Sequence, residues 1–88
     1  MIFKTNSQVI KELAQRCKDL RKSNKLSQQE LADRSGVSLG SLKRFESTGK
    51  ISLESLVKIM ATLERLNELD DLLKLREIPR SIDELFKQ

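Results

Sequence analysis

The stretch that decides the fold is residues 26–38, LSQQELADRSGVS. Ser27 followed three residues later by Glu30 matches a capping box, in which two side chains satisfy free N–H groups at the start of a helix. The pattern therefore predicts a helix over about residues 28–34. Gly36 suits the left-handed backbone conformation that commonly ends a helix, so the chain is expected to turn there.

A second helix is predicted directly after this turn. Ser38 is its expected N-cap, and Gly49 is expected to stop it after about Ser47. Small and apolar residues occupy the positions where two crossing helices and their turn require them, namely Leu31, Ala32, Gly36, Val37, Leu42 and Phe45. Two short helices joined in this way form a helix-turn-helix, here over residues 28–47, and that arrangement serves to place a helix in the major groove of DNA.

The flanking sequence predicts further helices through its apolar periodicity. Residues 7–22 are predicted as the first helix with Ser7 as its N-cap, and the polar segment 21–25 is interpreted as the loop that follows. The expected buried stripe of this helix comprises Ile10, Leu13, Ala14, Cys17 and Leu20. Ser52 is predicted to cap a later helix whose stripe comprises Leu53, Leu56, Val57, Met60 and Leu63.

A leucine-rich pattern continues to residue 75, and the only predicted break lies just before Pro79. Ser81 and Glu84 form another capping box, which predicts a terminal helical turn. The sequence therefore predicts an all-α protein with a helix-turn-helix DNA-binding domain over residues 1–75. A short C-terminal helical tail over residues 76–88 could fold back, exchange with a dimer mate or bind another protein.

Composition excludes several classes of protein. A chain of 88 residues holds one domain, and with three Phe, no Trp and no Tyr its core must be aliphatic. The single cysteine, Cys17, cannot form an intrachain disulfide, which fits a cytoplasmic location. Cys17 lies in an apolar stripe and is interpreted as a core residue. With no histidine and no cluster of acids, we expect no enzyme activity, no catalytic or metal-binding residue, no cofactor and no small-molecule substrate. No apolar run is long enough to span a membrane.

The charge is distributed unevenly along the chain. Residues 1–50 carry eleven Lys and Arg against five Asp and Glu, a net +6, whereas residues 51–88 carry six against eight, a net −2. A basic first half beside a slightly acidic second half indicates that one end of the molecule meets a polyanion.

Three segments of the sequence closely resemble the XRE/Cro repressor family, namely LSQQELA at 26–32, SGVS at 35–38 and ISLESL at 51–56. The resemblance extends over roughly residues 8–75. It implies a five-helix bundle of the phage-repressor/Cro type that binds a double-stranded inverted repeat as a homodimer. Two functions stay open: a transcriptional repressor of its own operon, or a HipB-like antitoxin that also neutralises a partner toxin.

The resemblance and the predicted geometry assign the same DNA contacts. Base contacts are expected from the recognition helix at Ser38, Leu39, Gly40, Lys43 and Arg44, and phosphate contacts at Gln28, Gln29, Ser41 and Lys50. Arg44 is the best candidate for direct readout because its guanidinium can pair with guanine O6 and N7. It could instead pair with Glu46, and Gln28 could be a merely solvated residue.

Two further residues of the recognition helix need a separate interpretation. Leu39 is expected on the outward face, where an apolar side chain needs a partner such as a thymine methyl group. Gly40 indicates either a close approach of the backbone to DNA or lost specificity.

The last predicted helix is richer in leucine than a five-helix monomer requires. Its leucines can be explained by core packing or by a dimer interface, and the dimer residues are then expected to be Leu66, Leu69, Leu72 and Leu73. A symmetric dimer would present two recognition helices about 34 Å apart, which is one turn of DNA.

Overall fold

The computed structural model describes residues 3–75, so the predicted break at Pro79, the capping box at Ser81 and the tail 76–88 lie outside the described residues. Within residues 3–75 the chain forms five helices and no strand, which confirms the all-α prediction. The helices are α1 (Asn6–Ser23), α2 (Gln28–Ser35), α3 (Leu39–Thr48), α4 (Leu53–Thr62) and α5 (Leu66–Asp71).

The predicted start and stop signals of α2 and α3 are confirmed. Ser27 Oγ accepts the N–H of Glu30 at 3.0 Å, and the Glu30 carboxylate accepts the N–H of Ser27 at 3.0 Å. Gly36 ends α2 at φ 77° and Gly49 ends α3 at φ 82°. These values lie in the left-handed region that glycine adopts without steric cost. A side chain at Gly49 would also overlap the side chain of Ile10.

The hydrophobic core lies where α1, α2, α3 and α4 meet. Its buried members are Ala14, Cys17, Leu31, Ala32, Val37, Leu42, Phe45, Ile59 and Leu63. Every apolar position assigned to the helix-turn-helix from sequence is therefore buried. The prediction for α4 is partly wrong, because Ile59, which lies outside the predicted stripe, is fully buried whereas Leu53 is exposed.

Helix α1 departs from its prediction at both ends. It begins at Asn6 with Thr5 as the N-cap, so the assignment of Ser7 is wrong. Thr5 Oγ1 accepts the N–H of Gln8 at 3.1 Å, and Gln8 Oε1 accepts the N–H of Thr5 at 2.7 Å, a capping box two residues earlier than the predicted cap. The helix also extends to Ser23, so Arg21 lies in its last turn rather than in a loop.

The predicted buried stripe of α1 is only partly buried. Ala14 and Cys17 are in the core, but Ile10 and Leu13 are 46% and 51% exposed. Helix α1 has 18 residues and α3, on which it packs, has 10. These numbers correspond to lengths of about 27 Å and about 15 Å. The stripe from Ile10 to Leu20 is itself about 15 Å long, so Ile10 and Leu13 are exposed although α3 matches the stripe in length.

The C-terminal end of the described chain is built differently. Helix α5 packs on α4, buries none of its residues and has no side-chain hydrogen bond at its N-terminus. None of the described helices is long and apolar enough to cross a membrane.

Candidate nucleic-acid interface

The start of α3 is held by hydroxyl groups and leaves its outer surface open. Ser38 Oγ accepts the N–H of Ser41 at 3.1 Å and donates its own hydrogen to Ser41 Oγ at 2.8 Å. The N–H groups of Leu39 and Gly40, in the same first turn, have no acceptor within a helix. The first turn of α3 therefore offers hydrogen-bond donors and a positive dipole end to an anionic partner.

A buried ion pair joins α1 to the helix-turn-helix. The guanidinium of Arg21 contacts both carboxylate oxygens of Glu46, through Nε to Oε2 at 2.7 Å and Nη2 to Oε1 at 3.0 Å. The two side chains are only 8% and 3% exposed. Arg21 Nη1 also donates to the carbonyl oxygen of Leu26 at 2.7 Å, which fixes the loop before α2.

Gln28 is the third member of this cluster. Its Nε2 donates to Glu46 Oε1 at 2.9 Å, so the half-buried amide at the start of α2 has a fixed orientation. Because an amide nitrogen carries two hydrogens, one of them is still available for a further acceptor. Gln28 is therefore a positioned donor in this fold rather than a merely solvated residue.

The electrostatics of Glu46 follow from this geometry. Burial by itself raises the pKa of its carboxyl group, but the hydrogen bonds from Arg21 and Gln28, with the charges of Arg21 and Lys18, outweigh burial and leave the pKa below its ordinary value. The hydrogen bond to Glu46 raises the pKa of Arg21 in turn. The cluster is therefore an ionised pair with its polar atoms satisfied.

Arg44 lies on the exposed side of α3 and is free of this cluster. Within residues 3–75, the side chains of Lys43, Arg44 and Lys50 have no carboxylate within 4.0 Å and no hydrogen-bond partner. The alternative in which Arg44 pairs with Glu46 is wrong, because the two side chains make no contact and the Glu46 carboxylate is bound by Arg21 and Gln28 instead. The arginine assigned to base readout is thus available to a partner.

Leu39 and Gly40 differ from each other in how the fold uses them. Leu39 is half-buried and packs partly against the core, so only part of its side chain faces outward and its apolar character already has a partner within the protein. Gly40 is exposed, and a Cβ atom added there would meet nothing within 4 Å. The fold therefore gives no steric reason for glycine at this position.

The other candidate contacts are exposed residues of α2, of α3 and of the segment after α3. Gln29 is exposed, and its Nε2 donates to Asp33 Oδ1 at 2.8 Å. Ser41 is exposed and bound to Ser38, as described above. Lys50 is exposed in the segment after α3, where Thr48 Oγ1 accepts its backbone N–H at 3.1 Å.

The leucines assigned to dimerisation lie at the other end of the molecule. Leu66 is exposed and Leu69 half-buried in α5, whereas Leu72 and Leu73 follow the helix and are 60% and 91% exposed. Val57, Leu66 and Leu69 line an open cleft of about 480 Å³ between α4 and α5, together with Asn67 and Asp70. Packing of α5 on α4 therefore accounts in part for Leu69 but leaves Leu72 and Leu73 uncovered within the described residues.

Cys17 behaves as the sequence predicts for a core residue. It is buried, and burial together with the nearby charge of Glu46 raises the pKa of its thiol to about 11. Because only a thiolate is strongly nucleophilic, the group is unreactive at neutral pH.

Sequence reasoning missed the Arg21–Glu46 pair, although the sequence contains a signal for it. Arg21 continues the buried spacing of Ala14 and Cys17, and Glu46 lies four residues after the buried Leu42. A charged residue in a buried stripe needs a partner, so two such residues in neighbouring helices indicate a pair.

A comparison with protein families agrees with this geometry. The helix-turn-helix family model matches residues 18–75, which are 58 of the 88 residues, and it extends from the last third of α1 to the end of α5. No curated protein shows significant sequence similarity to the chain.

Proposed function

The chain belongs to the XRE-type helix-turn-helix family, whose domains bind DNA in transcription regulation, and we propose that it is a sequence-specific, homodimeric repressor of its own operon. The observation that carries the proposal is the unpaired guanidinium of Arg44 on the open side of α3. Arg44 is the sixth of the ten residues of α3, and an arginine on the exposed side of a recognition helix can form two hydrogen bonds with guanine, a contact that distinguishes base pairs in the major groove.

The contacts to the DNA backbone are proposed around this arginine. The free hydrogen of the Gln28 amide and the open N–H groups at the start of α2 would meet one phosphate, and Gln29, Ser41 and Lys50 would meet others. Ser38, Lys43 and Gly40 complete the proposed contact with base edges. The contact of Leu39 is the least supported, because its side chain packs partly against the core.

The proposed dimer uses the exposed leucines of the C-terminal end. Leu66, Leu69, Leu72 and Leu73 form the apolar surface that a second copy would cover, around the cleft between α4 and α5. A twofold arrangement would place the two recognition helices about one turn of DNA apart, so the site would be an inverted repeat.

One experiment tests the DNA proposal directly. Selection of bound duplexes from a random pool, followed by sequencing, is expected to give two half-sites related by inversion and separated by about 10 base pairs from centre to centre. The affinity should fall steeply with salt, since phosphate contacts release counterions. Absence of binding at low salt, or an affinity that ignores salt, contradicts the proposal.

The oligomeric state is tested separately. Sedimentation at about 20 μM is expected to show a dimer, because a cluster of exposed leucines is stabilised by burial at about 25 cal/mol per Å². Leu69→Asp should give a monomer, whereas Glu64→Gln, an exposed change in the preceding turn, should leave the dimer intact. A monomeric wild-type protein under these conditions contradicts the dimer proposal.

The exposure of Leu72 and Leu73 also supports the antitoxin alternative, in which the same apolar surface binds a toxin protein. A neighbouring gene for a kinase or nuclease, whose product loses activity when co-expressed with this chain, would favour this alternative. Full activity of that product in the presence of the chain would exclude it.

A further inference from the structure

Helix α1 carries a straight row of lysines outside the helix-turn-helix. Lys11, Lys18 and Lys22 are separated by seven and four residues. With 3.6 residues per turn, their directions around the helix axis fall within about 40° of one another, and the row is about 16 Å long. The row lies to one side of the core-facing stripe of Ala14 and Cys17. We call Lys11, Lys18 and Lys22 the α1 lysine row.

The row has no acidic partner in the part of the chain that the structure describes. None of its three ammonium groups lies within 4.0 Å of a carboxylate. Other surface lysines do form such pairs, for example Lys4 with Glu12 and Lys58 with Glu54. Between residues 51 and 75 the cations behave in the opposite way. Lys58 pairs with Glu54 at 3.4 Å, Arg65 with Glu68 at 2.6 Å and Lys74 with Asp70 at 3.5 Å.

The two acidic residues of α1, Glu12 and Asp19, contact residues outside the row. Glu12 Oε2 contacts Lys4 Nζ at 2.7 Å, and Asp19 accepts a hydrogen bond from Gln15 Nε2 at 2.9 Å. Both acids lie about 90° around the helix from the row. Lys18 and Lys22 are four residues apart, a spacing at which like charges destabilise a helix. No ion pair or side-chain hydrogen bond within residues 3–75 accounts for the row.

The row lies beside the helix-turn-helix rather than at a remote surface. Lys18 is half-buried, and its charge contributes to the low pKa of Glu46, the residue that orients Gln28. Gln28 is the proposed phosphate contact at the start of α2. Lys18 of the row and the proposed phosphate contact at Gln28 are therefore linked through the same carboxylate, that of Glu46.

We propose that the α1 lysine row is a second phosphate-binding surface, which holds the DNA backbone beyond the contacts made by α2 and α3. This proposal rests on the proposed DNA-binding function. The occupant is a polyanion because the row presents three unpaired ammonium groups and no apolar pocket. A row of about 16 Å matches the rise of about five nucleotides at 3.4 Å each along one strand.

The test compares two charge-matched triple variants on a duplex that the wild-type protein binds. One variant combines Lys11→Gln, Lys18→Gln and Lys22→Gln. The other combines Lys58→Gln, Arg65→Gln and Lys74→Gln, which removes the same charge from the paired cations. Each phosphate contact contributes about 0.9 to the slope of log affinity against log salt. The first variant should lose about 2.7 from this slope, and the control should keep the wild-type slope.

Two further measurements separate the possible outcomes. A variant in which arginine replaces all three lysines of the row should keep the wild-type slope. The glutamine variant should keep the wild-type ratio of specific to nonspecific affinity, because phosphate contacts carry no sequence information. An unchanged slope in the first variant overturns the proposal while the DNA-binding function stands. Equal losses in both variants show a general charge effect and also overturn it. If the wild-type protein binds no duplex, it is the proposed function that fails.

Discussion

The two ends of the described chain differ in which side chains remain without a partner. The N-terminal end, α1 to α3, has a buried ion pair, a hydrogen-bonded cap at each helix start and several unpaired cations. The C-terminal end, α4 and α5, has paired cations, exposed leucines and an uncapped last helix. The N-terminal end leaves cations without a partner, and although Ile10 and Leu13 are also exposed there, the most exposed leucines of the described residues, Leu73 and Leu75, lie at the C-terminal end.

This difference indicates a division of labour between the two ends. Unpaired cations are stable in water and attract a polyanion over several ångströms, so they suit reversible binding of DNA. Exposed leucines gain free energy only when another apolar surface covers them, so they suit association with a protein. The following changes test this division, beginning with the buried pair that holds the N-terminal end together.

The largest effect is expected from Glu46→Gln. Glutamine keeps nearly the same shape but removes the charge, which leaves the buried Arg21 guanidinium without a counter-ion. Breaking one side of a buried pair costs about 3–5 kcal/mol. Denaturant titration should therefore show a free energy of unfolding lower by about that amount. The matched change at the other end is Glu54→Gln, whose exposed pair with Lys58 should contribute at most about 0.5 kcal/mol.

The same variant has a distinct dependence on pH. The pKa of Glu46 in the folded protein lies below its unfolded value of about 4.3, so the stabilisation is complete above that pH. This stabilisation is lost as the pH falls below the pKa of Glu46 in the unfolded chain and then through its lower pKa in the folded protein. The difference in stability between wild type and Glu46→Gln should therefore shrink below about pH 4.3. A difference that is independent of pH contradicts the assignment of an ionised Glu46.

The Arg21–Glu46 pair also shows where sequence reasoning reaches its limit. Caps such as Ser27 and stops such as Gly36 are predicted correctly because their chemistry is complete within four or five residues. Arg21 and Glu46 are 25 positions apart, and polarity alone puts Arg21 in a loop. Their role depends on two helices crossing, which local patterns do not specify.

The predictions from apolar periodicity fail for a related reason. Periodicity identifies the face of a helix that could be buried, but burial also requires a neighbouring element that packs over each residue. Ile10 and Leu13 lie on the expected face of α1, yet both are exposed in the described fold. Leu39 shows the converse, since the core accepts a side chain that the pattern assigned to the outer surface.

An intermediate effect is expected from Arg44→Ala. If Arg44 reads a base, its removal should weaken binding to the selected duplex by about 1–3 kcal/mol, or about 5- to 150-fold, and should change binding to unrelated duplexes much less. Competition titrations with both kinds of duplex measure the two losses. Equal losses would make Arg44 a phosphate contact. Arg34→Ala is the control, because Arg34 lies on α2 with Glu30 at 4.0 Å.

The smallest effect is expected from Gly40→Ala, which tests whether glycine at this position of α3 serves DNA binding or the stability of the fold. Gly40 is a helical residue with open space where a Cβ would lie, so Gly40→Ala should raise the free energy of unfolding by about 0.5–1 kcal/mol. Gly36 has equally open surroundings but a φ of 77°, so Gly36→Ala should lower stability instead. Thermal unfolding of the two variants isolates the backbone effect.

The DNA affinity of Gly40→Ala then decides between the two interpretations of this glycine. A more stable protein that binds its selected duplex more weakly would show that the backbone of α3 approaches DNA closely at Gly40, because the added methyl group then has room in the free protein but not in the complex. An unchanged affinity would mean that Gly40 is a contact position left empty. In that case the sequence specificity of the N-terminal end depends on Arg44 with Ser38 and Lys43, and substitutions at position 40 with longer polar side chains should alter which duplexes are selected.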